Sequence, residues 1–265
     1  MKTRVITGII ALIIFIPFVV IGGIPLTLLM SFLGLISVGE LLFMKKRLLV
    51  SFEALISFLA VIVTILPNIF WVSLPAQMFL NKKSLIYFFI LLMLIVTVLS
   101  NNKLTFDDAG SLVLGVLYIG FGFHFFLQAR ANEWLAFVFG LIIVWLTDSF
   151  AYIIGRRFGK HKLIPRISPN KTWEGSIGGT LIASLAGVAF ALITNFAPEF
   201  NPFELIIVTV FLSIAGQFGD LIESAFKRFY GVKDSGNMLP GHGGILDRFD
   251  SMLVVMPLLV LMGLT

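Results

Sequence analysis

The sequence predicts an all-α, polytopic integral membrane bundle of about nine transmembrane helices. The chain has 265 residues, of which 58% are hydrophobic and only 12% are charged. Its mean hydropathy of +1.04 lies far above the range of soluble globular domains. Several apolar runs reach the roughly 20 residues that an α-helix needs to cross the hydrocarbon core. The alternating ten-residue strands of a membrane β-barrel are absent from the sequence.

Nine apolar segments carry this prediction, and polar or proline-containing connections separate them. In chain order they are residues 5–21, 26–44, 48–66, 85–99, 109–127, 134–154, 177–193, 203–219 and 249–264.

The distribution of Lys and Arg predicts that the N-terminus is cytoplasmic. With that orientation, 16 of the 19 basic residues fall in inner loops, and only Lys82, Lys83 and Arg130 fall outside. Two long polar loops, 155–176 and 222–248, then face the cytoplasm together. The net charge of +5 is explained by this bias, and no nucleic-acid partner is expected. The absence of cysteine excludes disulfides, thiolate metal sites and a cysteine nucleophile.

The two halves of the chain differ in polarity. Residues 1–133 carry few ionisable groups in their spans, so we expect N-terminal helices that form a scaffold or a lipid-accessible cavity. Within them, Glu40 is expected to form an ion pair with Lys45 or Arg47. Residues 134–265 hold both polar loops and are the predicted catalytic half.

Acidic residues recur at helical spacing in the second half. Asp220, Glu223 and Lys227 fall at i, i+3 and i+7, so they form one stripe if the eighth helix continues past residue 219. Asp247 and Asp250 are again three apart, at the start of the ninth helix.

Asp148 lies inside the sixth segment. Because an ionised side chain facing lipid costs about 2.5–3.5 kcal/mol, Asp148 is expected to face the bundle interior. Carboxylates at three helix ends suit Mg²⁺, and two acidic pairs leave room for a second ion. The alternative is that these acids only pair with Lys227, Arg228 and Arg248.

A glycine-rich loop, KDSGNMLPGHGG, separates the two acidic pairs. Gly236, Gly241, Gly243 and Gly244 would let backbone N–H groups approach a phosphate closely. His242 could donate to a phosphate oxygen or cap the following helix, and the sequence leaves both open.

The other inner loop ends in the run Ser168-Pro169-Asn170-Lys171-Thr172, a predicted tight polar turn before a glycine-rich helix. Lys171 could pair with a nucleotide phosphate, or it could anchor lipid headgroups as juxtamembrane basic residues commonly do. Gly178, Gly179 and Gly187 in that helix predict close helix packing.

The string SAFKRFYGVKDSGNMLPGHGGILDRFDS closely resembles the signature of the phosphatidate cytidylyltransferase (CDP-diacylglycerol synthase) family. The matching residues are Ser224, Lys227, Arg228, Lys233, Asp234, Pro240, Gly241, His242, Gly243, Gly244, Asp247, Arg248 and Asp250. The run SPNKTWEG resembles that family's SPKKTWEG, with Asn170 as the one departure. The specific resemblance covers about residues 145–251.

The resemblance implies transfer of a cytidylyl group from CTP to phosphatidic acid in phospholipid biosynthesis, with divalent metal. It also implies a homodimer, and the short, compact form of the chain indicates a bacterial inner membrane. On this basis Asp220 and Asp247 are expected as the main metal ligands, with Asp148, Glu223 and Asp250 beside them. The expected catalytic and phosphate-holding residues are Lys227, Arg228, Lys233, Asp234, His242 and Arg248. The expected substrate contacts are Ser168, Asn170, Lys171, Thr172, Ser224, Gly241, Gly243 and Gly244.

Two other functions are compatible with parts of the sequence. A related CDP-lipid synthase or a polyprenol kinase would use a different lipid acceptor with a similar polar loop. An ion-coupled transporter would use Asp148 and His124 as intramembrane relay groups. Transport is disfavoured because nearly all the charged residues fall at one predicted membrane face.

Overall fold

The computed structural model describes residues 2–72, 81–236, 238 and 243–265, which fold mainly into α-helices with one β-hairpin. The elements in chain order are α1 (Lys2–Ile21), α2 (Gly23–Met44), α3 (Phe52–Ile65), α4 (Ile69–Val72), α5 (Lys82–Leu99), α6 (Phe106–Asn132), α7 (Trp134–Phe158), β1 (Lys162–Ile164), β2 (Ser168–Thr172), α8 (Trp173–Thr194), α9 (Pro202–Phe229), α10 (Leu246–Phe249) and α11 (Met252–Leu261).

Six of these helices, α2 and α5 to α9, are long and apolar enough to cross a membrane. Shorter apolar stretches occur in α1, α3 and α11. Each of the nine predicted apolar segments overlaps one of these nine helices. The expectation of a helical, multi-pass membrane protein is therefore confirmed. The helices run past the predicted ends because a polar turn can continue a helix after its apolar stretch has stopped.

The helices of the second half begin at side chains that cap them. Thr172 accepts a hydrogen bond from the amide of Gly175 at 3.2 Å and begins α8. Asn201 begins α9 with a capping box, in which its side chain and that of Glu204 each accept a backbone amide. Pro202 follows at the first position of α9, where its missing N–H costs nothing. These caps fix the residues at which α8 and α9 begin.

The chain divides into two compact units. The first comprises the chain up to Gln128 together with Asp234–Asp247, and in it α1 packs on α2, α2 on α3, and α3 on α5. The second comprises Ala129–Lys233 and Arg248–Thr265, and in it α7, α8, α9 and α11 pack together. The glycine-rich loop therefore groups with the first unit, although it follows α9 in sequence.

Glycines bring α8 into close contact with α7, as the sequence predicted. A Cβ atom on Gly179 would lie 2.7 Å from the backbone oxygen of Thr147 and 3.0 Å from the Cβ of Ala151. On the same helix, a Cβ on Gly187 would lie 2.9 Å from the Cγ2 of Thr209 on α9. Small residues allow helices in membranes to approach closely enough for backbone-to-backbone packing. This close approach packs α7, α8 and α9 against one another.

One β-hairpin corrects the predicted fold class from all-α to nearly all-α. Residues 168–172 form strand β2, so the prediction of a tight turn there is wrong. The turn lies at residues 165–167, and β2 pairs antiparallel with β1, with Lys162 opposite Thr172. Pro169 is tolerated because a two-stranded sheet has only edge strands. The hairpin carries Lys171 to the start of α8.

Candidate active site

Three carboxylates from separate elements of the second unit lie close enough to influence one another. We call Asp148 on α7, Asp220 on α9 and Asp250 in the turn before α11 the carboxylate cluster. The negative charge of Asp220 acts on both of the other two. Burial, followed by the charges of Asp220 and Asp148, raises the pKa of the Asp250 carboxyl. A concentration of acidic charge of this kind favours a bound cation.

Glycine in α9 makes this approach possible. A Cβ atom on Gly219 would lie 2.5 Å from the backbone oxygen of Asp250 and 2.8 Å from the Cα of Ser251. The backbone of the turn therefore lies directly against α9, next to Asp220. The turn also breaks the predicted continuous helix, since α10 ends at Phe249 and α11 begins at Met252. Asp250 Oδ1 accepts the amide of Ser251 at 2.7 Å.

Lys171 is in direct contact with Asp220 of the carboxylate cluster. Its Nζ lies 2.7 Å from Asp220 Oδ2 and 3.3 Å from the backbone oxygen of Gln217. Ser224 donates to the other oxygen of Asp220 at 3.2 Å. The positive charge of Arg248 acts on Asp148. The β-hairpin thus delivers the ammonium group that neutralises Asp220.

Glu223 and Lys227 form a buried ion pair one turn further along α9. Lys227 Nζ lies 2.6 Å from Glu223 Oε2, and the two side chains are only 11% and 2% exposed respectively. The charge of Lys227 also acts on Asp250. The predicted helical stripe is confirmed, because α9 continues to Phe229. Lys227 therefore neutralises acidic side chains within this unit.

The other predicted residues of this unit lie at its surface or cap its helices. Arg228 donates to the backbone oxygens of Ile167 and Val232, each at 3.2 Å, so it ties the hairpin turn to the end of α9. Asn170 and Lys233 are exposed, Ser168 is half-buried, and Thr172 is the buried cap of α8.

The prediction that Asp148 faces the bundle interior stays a prediction, because the residue is accessible while its carboxyl lies near charged groups of α9 and the hairpin. Its charged neighbours are Asp220, Lys171 and Arg248. An accessible carboxylate with charged neighbours can meet a ligand that enters from outside the helix bundle.

A buried polar network, which the sequence did not reveal, joins α7, α8 and α9. The hydroxyls of Thr147 and Ser213 lie 2.7 Å apart, and Ser213 donates to Thr180 at 3.0 Å. Gln217 Nε2 donates to Thr180 at 2.9 Å, and Ser176 donates to the Gln217 side-chain oxygen. Each polar group thereby finds a partner on another helix. The network ends at Gln217, whose backbone oxygen accepts from Lys171.

Asp247 lies in the first unit, where it organises the glycine-rich loop. Its Oδ2 atom accepts hydrogen bonds from the amide of Ser235 at 3.0 Å and the amide of Gly244 at 2.8 Å. The hydroxyl of Ser235 donates to the same oxygen at 2.9 Å. Asp234 beside it is exposed. Asp247 therefore closes the loop on itself across 12 residues.

Glu40 of α2 also binds this loop, and the sequence missed it. Its carboxylate accepts the amides of Ile245 at 2.7 Å and Leu246 at 3.0 Å, and the hydroxyl of Ser235 at 3.1 Å. The predicted pairing with Lys45 or Arg47 is wrong, since both of those cations bind Asp108. The signal available in the sequence was an acidic residue inside an otherwise apolar helix.

The loop glycines make room for these carboxylates. Gly243 has a φ of 84°, a conformation that favours glycine. A Cβ on Gly244 would overlap the Ser235 hydroxyl and the Glu40 carboxylate, and one on Gly236 would lie 2.8 Å from Glu40 Oε1. In this structure the glycines thus serve protein carboxylates. The predicted substrate contact Gly241 and the predicted catalytic residue His242 lie outside the described residues.

The carboxylate cluster fits a hard cation by its chemistry. All its donors are oxygen atoms, the ligands that Mg²⁺ prefers. Among the described residues, no three acidic or imidazole side chains already stand in a metal-binding arrangement. Lys171 Nζ instead supplies the positive charge beside Asp220, at 2.7 Å. A metal ion at Asp220 would therefore replace or displace that ammonium group.

Comparison with known proteins relates the whole chain to one family. A sequence model described as the cytidylyltransferase family matches residues 2–265. The phosphatidate cytidylyltransferase of Staphylococcus haemolyticus (strain JCSC1435) is 46% identical over 261 residues, which cover 98% of this chain and 97% of the relative. That of Bacillus subtilis (strain 168) is 44% identical over 262 residues, which cover 98% and 96%. That of Staphylococcus aureus (strain COL) is 45% identical over 259 residues, which cover 98% and 97%.

We expect Thr180→Val to destabilise the protein by about 1–3 kcal/mol, because it leaves the donors of Ser213 and Gln217 without their acceptor. The matched control is Thr194→Val on the same helix, whose hydroxyl donates only within α8, to Phe190. Its effect should be a few tenths of a kcal/mol. Thermal unfolding of the detergent-purified variants measures both. Equal midpoints for the two variants would show that the network contributes nothing.

Proposed function

Because this chain belongs to the cytidylyltransferase family, we propose that it transfers the cytidylyl group of CTP to phosphatidate, forming CDP-diacylglycerol and pyrophosphate. The observation that carries this proposal is the identity of 44–46% to phosphatidate cytidylyltransferases along nearly the whole chain. The chain is accordingly a membrane-bound nucleotidyltransferase of phospholipid synthesis.

The reaction joins two polyanions. A phosphate oxygen of phosphatidate forms a bond to the α-phosphorus of CTP. The bond from that phosphorus to the oxygen bridging to the β-phosphorus breaks, and pyrophosphate leaves with the electron pair. The attacking oxygen is already anionic at neutral pH, so no side chain has to remove a proton. The protein must therefore supply alignment and positive charge.

The accessible cations of the second unit are our candidates for binding phosphate. Lys171, Lys233 and Arg248 have side chains at least partly exposed. Arg228 keeps donors beyond the two that bond to Ile167 and Val232. Lys227 has a different role in this proposal, because it is buried against Glu223. It holds the acidic stripe of α9 in place. We also keep three residues of β2 as proposed substrate contacts, because they lie on the same strand as Lys171: Ser168, Asn170 and Thr172.

We assign the carboxylate cluster as the site of a divalent cation, with Asp220 as its main ligand and Asp148 and Asp250 beside it. Bound Mg²⁺ would neutralise phosphate charge and polarise the reacting phosphoryl group. Glu223 supports the site through Lys227. Asp247 stays a proposed ligand for a first or second ion, as the resemblance implies. The all-oxygen donor set and the repulsion among its members support this assignment.

We further propose that the polar loops face the cytoplasm of a bacterial cell from its inner membrane, with the N-terminus on the same side. The support is the distribution of Lys and Arg, which retain loops in the cytoplasm. A homodimer is also proposed from the resemblance, and the molecular mass of the detergent-purified protein tests it.

For the N-terminal helices we propose a cavity that takes one acyl chain of the lipid. The first unit contains an open cavity of about 760 Å³. Its wall is largely apolar, with Leu35, Ile36 and Phe58 among its residues, and Ser235 and Gly236 of the loop lie at its edge. Cavities of roughly 300–1,000 Å³ commonly hold ligands. An apolar wall that ends at the polar glycine-rich loop matches a molecule with an apolar tail and a phosphate head.

The first experiment measures pyrophosphate release by the purified protein. We expect release only when CTP, phosphatidate and Mg²⁺ are all present, and none with EDTA or with ATP in place of CTP. Asp220→Asn should lower kcat about 100-fold or more, because the cluster loses its central charge. The matched control is Asp107→Asn, an exposed acid at the start of α6.

Release with Mg²⁺ absent would refute the metal assignment but not the transfer reaction. Folded protein that releases no pyrophosphate from CTP with phosphatidate would refute the proposed function.

The orientation can be tested by single-cysteine labelling, because the chain has no cysteine of its own. Lys160 precedes the hairpin and Glu199 lies between α8 and α9, and both are exposed. In intact cells a membrane-impermeant maleimide should label Glu199→Cys and leave Lys160→Cys unlabelled until the cells are lysed. The reverse pattern would invert the proposed topology.

The acyl-chain site can be tested by filling the cavity. Gly39 lines it, and a Cβ there would meet no atom within 4 Å. We expect Gly39→Leu to raise the KM for long-chain phosphatidate severalfold and to leave the KM for dihexanoyl phosphatidate unchanged. Gly110→Leu is the matched control, since Gly110 is equally open but lies outside the cavity. An equal KM change for both lipids would contradict the proposal.

A further inference from the structure

Glu40 is a buried acid to which the reaction chemistry gives no role. It is 7% exposed and lies near the C-terminal end of the apolar helix α2. Both of its oxygens are engaged by the glycine-rich loop: Oε1 accepts the amide of Ile245, and Oε2 accepts the amide of Leu246 and the hydroxyl of Ser235. A carboxylate is not needed for helix formation at this position. Its function must therefore lie in the groups that it binds, which are the amides of Ile245 and Leu246 and the hydroxyl of Ser235.

The contact is built into the loop as well as into α2. Gly236 and Gly244 leave the space that the carboxylate occupies, since a Cβ at either residue would approach Glu40 to less than normal contact distance. The amides of Ile245 and Leu246 begin the short helix α10 and would otherwise lack acceptors. The loop glycines leave space for a carboxylate at position 40, and the two loop amides provide donors for it.

Every group that Glu40 holds also determines the position of Asp247. Leu246 precedes Asp247 directly in the chain. Ser235 donates its amide and its hydroxyl to Asp247 Oδ2, at 3.0 Å and 2.9 Å. A hydroxyl has a single proton, so Ser235 shares that proton between Glu40 and Asp247. The two carboxylates are therefore coupled through one side chain and one backbone segment.

We propose that Glu40 is a positioning residue for Asp247, acting through Ser235 and the amides of residues 245 and 246. The proposal rests on the proposed function, because Asp247 is there assigned to the chemistry. It gives the N-terminal half a part in catalysis that extends beyond shaping a lipid cavity. The carboxylate of Glu40 contacts no reacting atom in this proposal, although the residue also lines the proposed acyl-chain cavity.

The experiment compares Glu40→Gln with Glu53→Gln, the same change at an acid of the first unit that lies near Arg47. A glutamine at position 40 would turn an N–H group toward backbone or hydroxyl donors, so the loop loses at least one acceptor. We expect kcat to fall about tenfold or more while the KM values for CTP and phosphatidate stay within about threefold. Glu53→Gln should retain wild-type kinetics.

The variant Ser235→Ala tests whether Glu40 acts on Asp247 through Ser235. If Glu40 acts through Ser235 and Asp247, the double variant Glu40→Gln/Ser235→Ala is no slower than the slower single variant. Multiplied losses, or a wild-type kcat in folded Glu40→Gln, would overturn the proposal. If Glu40→Gln does not fold, Glu40→Asp, which is one methylene too short, replaces it in both comparisons.

Amide hydrogen exchange separates this proposal from the proposed function. In Glu40→Gln the amides of residues 244–247 should exchange faster than in the wild type, whether or not the protein is active. Unchanged exchange would overturn the positioning role. An inactive wild type with the expected change in exchange would refute the proposed function while leaving the contact between Glu40 and the loop established.

Discussion

A carboxylate inside an apolar helical protein needs donors or cations that the protein itself supplies, and much of this structure meets that requirement. Glu223 obtains Lys227 one turn along its own helix, and Asp220 obtains Lys171 from the hairpin. Glu40 obtains two backbone amides and a hydroxyl. Each of these contacts fixes a different backbone segment. The acids therefore organise the polar segments of a chain that is otherwise held together by apolar packing.

The carboxylate cluster brings three acids and several cations together. The acids act on one another, Lys171 is bonded directly to Asp220, and the charges of Arg248 and Lys227 act on the other two acids. Charges of both signs therefore meet at this place. It is suited to cations that arrive together with phosphate groups, since each neutralises the other. The family relationship shows the transferase activity, and the cation site at these acids is our proposal.

Local regularities were predictable from the sequence, and contacts between distant residues were not. Hydropathy located the helices, and spacing placed Glu223 and Lys227 on one face, because both depend on residues within a few turns of each other. The strand β2 was missed because a run containing proline and no apolar alternation reads as a turn. The bond from Ser235 to Glu40 crosses 195 residues, and no local pattern encodes a pairing at that separation.

The length of α9 has a consequence for how the protein meets its lipid. Its 28 residues span about 42 Å, whereas the hydrocarbon core of a bilayer is about 30 Å thick. If α9 begins at the opposite edge of that core, Asp220 would lie about 27 Å and Glu223 about 31 Å across it, which is the boundary between the hydrocarbon and the phosphate headgroups. A lipid phosphate can arrive there by lateral diffusion in the leaflet. The rate should then follow the mole fraction of that lipid in the membrane, a surface concentration, and not its amount per volume of solution.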